Sequence, residues 1–164
     1  MKQLLCAMLA FGFSPVSSWA QHPKQFIQAE LLKTIKAKSA KAGDLVKART
    51  VNAVILPGGV TIPEGTILLG EVRAASPASL AISFEQAELG GKKTPVNLSI
   101  RAAMMPNGPP SNASGVVAQT GSIIGMPGVT LQVDDSPQHA SKFESNGKDL
   151  QLRQGLQLML AAPE

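Results

Sequence analysis

Beyond its first twenty residues this chain has no cysteine and no tryptophan, because Cys6 and Trp19 both fall within those twenty, and it has no tyrosine anywhere. Disulfides therefore cannot hold the fold together. Phe26, Phe84 and Phe143 are the only aromatics left, too few to offer the stacking platforms that single-stranded nucleic acid needs. Histidine is nearly as scarce. His22 stands close to the start and His139 in a loop-rich stretch, so a well-held general base or zinc ligand has little to draw on. Charged residues make up 16% of the chain, and no uninterrupted apolar run reaches the roughly 20 residues of a membrane-spanning helix.

What is present begins with an export signal. Met1 and Lys2 give a short positive start, Leu4 to Phe13 an apolar stretch, and Pro15 to Ala20 a small-residue exit before Gln21. Residues 1–20 read as a signal peptide and 21–164 as one domain that is exported, periplasmic or secreted. Cys6 precedes most of the apolar stretch, which is the wrong order for lipid attachment. Removing Lys2 lowers the formal charge from +4 to +3, and the excess is concentrated early. Lys33, Lys36, Lys38, Lys41, Lys47 and Arg49 face only Glu30 and Asp44 there. These six are the candidate contacts for an anionic partner, an envelope protein or polymer. The competing reading is that they keep exposed strand edges soluble.

From Phe26 to Met104 apolar residues alternate, broken by glycine and proline turns, which is strand texture. The spacing predicts a first strand running through Ile27, Ala29, Leu31 and Ile35. A second runs from Leu45 to Ile55, with Val46, Ala48, Thr50 and Val54 on one face. Pro57-Gly58-Gly59, Pro63-Glu64-Gly65 and Ser76-Pro77 are turns, and Leu89-Gly90-Gly91-Lys92 is a hairpin tip. Val96, Leu98, Ile100 and Ala102 then alternate with Asn97, Ser99 and Arg101. From Met105 to Ser141 the composition shifts to five Gly, five Pro and five Ser, which predicts a flexible insertion over 105–141. Strand texture resumes at Leu150. The heptapeptides Ile62–Leu68 and Leu152–Leu158 share an apolar residue, two others, a glycine and an apolar residue three later. They read as matching corners of a barrel.

Catalytic and cofactor motifs are missing. No G-x-S-x-G elbow, phosphate loop or dinucleotide fingerprint occurs. Asp134, Asp135 and His139 form the one metal-like grouping, in the loop-rich segment, and read as a polar loop. Glu64, Glu71 and Glu85 lie in or beside strands without a spacing that marks an acid and its partner.

The runs Ala40–Arg49 and Ile62–Val72 resemble short exported acidobacterial proteins of unknown function. More distantly they are similar to the C-terminal β-barrel of TrbI-type components of type IV secretion cores, where an Ile-Pro-x-Gly corner follows a strand. That resemblance implies a barrel, and it does not extend to the secretion component's membrane helix or its late helical pair. The sequence thus leads to an all-β fold, a small closed or partly open β-barrel with a long Gly/Pro/Ser-rich insertion. It leads to a non-enzymatic envelope or secreted binding or scaffold module with no cofactor. A hydrolase acting on envelope polysaccharide through the strand-borne glutamates is the alternative.

Overall fold

The computed structural model describes residues 26–106, 121–133, 140–147 and 149–162. The predicted signal peptide, both histidines, and Asp134 and Asp135 lie outside them. The strands are β1 (Ile27–Leu31), β2 (Ile35–Lys36), β3 (Leu45–Thr50), β4 (Val54–Ile55), β5 (Thr61–Ile62), β6 (Ile67–Ser76) and β7 (Ser79–Leu89). They continue with β8 (Lys92–Met104), β9 (Ser122–Ile124), β10 (Val129–Gln132), β11 (Ser141–Ser145), β12 (Gln151–Leu152) and β13 (Gln157–Ala161). The fold is all-β. β7, β6, β3, β1, β13 and β8 pair in that order, and the β7–β8 pairing closes them into an antiparallel six-stranded barrel. Among the described residues no helix is long and apolar enough to cross a membrane.

Alternation fills the barrel. Ile27, Ala29 and Leu31 on β1 and Val46, Ala48 and Thr50 on β3 point inward and are buried, while Lys47 and Arg49 point out. Leu68, Val72, Ile82, Phe84, Leu98, Leu158 and Leu160 complete the interior. The predicted hairpin tip is present. Leu89 pairs with Lys92, and Gly90 and Gly91 both take positive φ (57° and 78°), as a two-residue turn that matches strand twist requires.

Both long early strands end sooner than their hydrophobic pattern predicts. β1 stops at Leu31 and β3 at Thr50, because corner segments bond to the last residue of each. Thr50 N–H donates to Thr66 C=O (2.9 Å) and Gly65 N–H to Thr50 C=O (2.8 Å). Leu31 N–H donates to Leu156 C=O (2.9 Å) and Gly155 N–H to Leu31 C=O (2.9 Å). Gly65 and Gly155 have φ of 80° and 84°, a region other residues avoid. The two heptapeptides are matching corners of the barrel.

The match extends to the whole ring. β3, β4, β5, β6 and β7 correspond to β1, β2, β12, β13 and β8 about an approximate twofold axis that passes between β1 and β3 and between β7 and β8. Val54 pairs with Ile62 as Ile35 pairs with Leu152. Leu56 N–H donates to Val60 C=O (2.8 Å) as Ala37 N–H does to Leu150 C=O (2.9 Å). Val51 N–H donates to Gln28 C=O (2.8 Å) as Leu32 N–H does to Lys47 C=O (3.0 Å). Even the bulges correspond: the β6–β7 register omits Glu85 and the β13–β8 register omits Arg101.

That second bulge corrects the expected alternation on β8. An extra residue reverses which side the following side chains face. Ala103, not Ala102, therefore joins the core with Ile100. The halves also exchange volume. In one, Gly70 sits opposite Phe84; in the other, Leu160 sits opposite Ile100. A Cβ on Gly70 would lie 2.5 Å from Ser83 C=O and 2.8 Å from the Phe84 ring.

The insertion expected to be flexible over 105–141 carries two strands of the main sheet. β9 pairs in parallel with β8, and β10 pairs with β11. β11 in turn pairs with the first half of β7, whose second half pairs with β8. Where β7 and β8 part, the buried Ser141 fills the fork: its hydroxyl accepts from Ile100 N–H and donates to Ile100 C=O, both at 2.9 Å. The other segments of the insertion, 107–120 and 134–139, lie outside the described residues.

Three outcomes follow for stability. Truncation before residue 148 removes β12 and β13 and opens the ring, so the cooperative thermal transition should disappear. Gly70→Ala should destabilise by about 1–3 kcal/mol through overpacking, read by urea denaturation. Ser141→Ala leaves Ile100 N–H and C=O without their buried partner and should cost about 1–3 kcal/mol for each group; an unchanged midpoint would contradict the role given to that hydroxyl.

Candidate functional site

The twofold repeat makes the two ends of the barrel directly comparable, and they are finished differently. At one end the chain leaves β3 through Asn52, whose carboxamide turns back onto β1. Asn52 Oδ1 accepts from Gln28 N–H (2.8 Å) and Nδ2 donates to Phe26 C=O (3.3 Å). A side-chain amide here completes a ladder that the backbone has left. At the other end the equivalent residue is Lys33, and the equivalents of Gln28 and Phe26 are Lys47 and Leu45. Lysine has no acceptor to offer an N–H group.

A cleft of about 430 Å³ opens at the Lys33 end. Lys33, Lys36, Asp44 and Leu45 are at its rim, and the inward-facing Val46 and Val72 are among its lining residues. Two local bonds shape the rim. Asp44 carboxylate accepts from Lys41 N–H (2.9 Å), holding the turn into β3. Thr34 hydroxyl accepts from Gln154 N–H (3.0 Å), tying the rim to the β12–β13 corner. Leu45 is 63% exposed.

The six cations singled out in the sequence do not form one patch. Lys33 and Lys36 stand at the cleft, and Lys41 is in the neighbouring turn. Lys38 reaches Asp149 at 3.9 Å, with both side chains well exposed. Lys47 and Arg49 lie on the outer wall of the barrel. There Arg49 meets Glu30 at 3.4 Å, a surface pair worth little. Adjacent strands also bring Glu71, Arg73, Glu85 and Glu88 onto the barrel, so the wall has mixed sign. The lysine excess along the chain is thus diluted across strands, and two of the six cations, Lys33 and Lys36, line the cleft.

The strand-borne glutamates separate as well. Glu64 is exposed in the β5–β6 corner. Glu71 and Glu85 share one cation: Arg73 is 3.4 Å from Glu71 and also paired with Glu85, and Arg73 Nε donates to Ser83 Oγ at 2.8 Å. Arg73 and Glu85 are the residues omitted at bulges in the β6–β7 register, which re-aims them across the outer wall. Among the described residues no group of three His, Cys, Asp or Glu is placed to hold a metal ion.

Sequence reasoning missed Asn52, Asp44 and Leu45. The signal for Asn52 was available in principle, since it stands two residues beyond the end of β3 as Lys33 does beyond β1. It needed the alignment of Leu31 with Thr50, which share no side-chain chemistry. Comparison of the chain with protein-family models, with curated proteins and with solved structures finds no match.

Proposed function

We propose that this chain is an exported, non-enzymatic binding module of the envelope or the secreted fraction, holding an anionic partner at the Lys33–Lys36 mouth. The observation that carries this reading is the inequality of two ends that the fold makes equivalent. One end is stitched by Asn52; the other is open, with two lysines among its lining residues. Its volume falls within the range of ligand sites, about 300–1,000 Å³. Asp44 also lines it and keeps its charge while accepting from Lys41 N–H, so two lysines against one carboxylate leave the mouth net positive. Export is supported by the amino-terminal pattern of Lys2, the apolar stretch and the small-residue exit.

The test is retention of the full chain on three immobilised probes: an acidic peptide, an anionic polysaccharide and anionic phospholipid. Each is measured at low and high salt beside a Lys33→Glu/Lys36→Glu variant. Retention on one probe should fall with salt, since screening acts within about 10 Å at 0.1 M, and by about tenfold in the variant, as close charge pairs at an interface do. Equal retention of variant and wild type would reject the mouth as the site. Polysaccharide turnover that disappears on Glu71→Gln or Glu85→Gln would replace the binding module with a hydrolase.

A further inference from the structure

The cleft also exposes a length of strand edge, and the other half of the barrel shows what fits such an edge. Pairing between β1 and β3 stops at Leu31 with Ala48. One residue further, Leu32 N–H donates to Lys47 C=O (3.0 Å), so Lys47 turns its backbone groups toward the β1 side. Leu45, two residues earlier on β3, turns its groups the same way. Among the described residues no group bonds to Lys47 N–H or Leu45 C=O. Their counterparts in the other half, Gln28 N–H and Phe26 C=O, are both held by the Asn52 carboxamide. A carboxamide is chemically a peptide group, an acceptor and a donor side by side.

Resting on the reading of the mouth as a binding site, we propose that its occupant is an extended acidic peptide segment of a partner protein. The peptide adds to the β3 edge from Leu45 to Lys47 by main-chain hydrogen bonds. Its amide carbonyl accepts from Lys47 N–H, and its amide N–H donates to Leu45 C=O, which repeats what Asn52 does on β1. Strand addition of this kind takes affinity from main-chain bonds and selectivity from the flanking side chains. Here the flanking groups are the Lys33 and Lys36 ammonium groups, which select carboxylates, and the exposed Leu45, which offers an apolar contact. A phosphate headgroup or a uronic acid supplies acceptors for the lysines, but neither carries the amide carbonyl and N–H side by side that Asn52 presents to the equivalent edge.

The test uses a fluorescein-labelled seven-residue peptide of alternating valine and glutamate. It is compared with the same peptide N-methylated at alternate amides and with its glutamine version, each titrated against the full chain. Methylation removes main-chain donors and keeps every charge. It should weaken binding by about tenfold or more, the worth of one or two hydrogen bonds, while the glutamine peptide loses the salt dependence.

Two variants read the same edge from the protein side. Lys33→Ala removes one charge and leaves the edge open, so binding should weaken severalfold. Lys33→Asn can stitch the edge as Asn52 does. Its binding should fall about another tenfold below that of Lys33→Ala, and its melting temperature should exceed that of Lys33→Ala. Equal binding of the methylated and unmethylated peptides overturns strand addition. If that equal binding is still lost in Lys33→Glu/Lys36→Glu, the anion-binding mouth stands without the edge; if no anionic probe binds at all, both fall.

Discussion

Closure of the ring through the β7–β8 hairpin is the constraint that the other features serve. A closed sheet leaves no strand wholly at an edge, so over its paired length each strand satisfies its backbone groups on both sides. Closing only six strands demands strong tilt and sharp corners. The bulges at Glu85 and Arg101 supply part of the bend, and the glycines at 65 and 155 supply the corners. Gly70 supplies room, because the bend brings β6 close enough to β7 that a single added carbon would meet Ser83 C=O at 2.5 Å. The same tightness explains the exchange of volume between Gly70 with Phe84 and Leu160 with Ile100. A narrow barrel fixes the sum of each facing pair while leaving its partition free.

The ring is not uniformly closed along its height, and Ser141 marks where it changes. Below the fork β7 and β8 bond to each other; above it β11 and β9 take their places. A strand pair that separates leaves donors and acceptors facing an apolar interior, where each unmet group is costly. One hydroxyl resolves the first step of that separation by serving as donor and acceptor to the same residue, Ile100. The part of the insertion that the structure describes is therefore structural. β10 covers β11, and the packing of Ile123, Met126 and Val129 against the core extends the interior beyond the ring.

Much of this was legible in the sequence wherever the information is local. Gly90-Gly91, Ser76-Pro77 and the paired corners around Gly65 and Gly155 are turn chemistry, and turn chemistry acts over a few residues. Alternation on β1 and β3 reports one-sided burial for the same reason. What escaped is non-local. The bulge that swaps Ala102 for Ala103 is a property of pairing with β13, more than fifty residues away. β9 and β10 have short, glycine-broken patterns that resemble a loop until their partners are in place. The six cations form no single patch because a barrel interleaves strands, which sets Glu30 beside Arg49 and Glu71 on the strand next to Lys47.

The approximate twofold repeat then bears on function in a way that neither half does alone. Two equivalent strand ends face the same physical problem, a backbone donor and acceptor left over where β1 and β3 part. Asn52 solves it with its own side chain and stabilises that end. Lys33 stands at the same position and does not, so the chain forgoes two available hydrogen bonds and places a long, solvated, flexible side chain there. Local departures from the stabilising choice concentrate at functional sites. Because the fold itself supplies the reference state, the departure at Lys33 is measured against a sister position in the same molecule. The edge stays open at the very position whose sister residue, Asn52, closes the other.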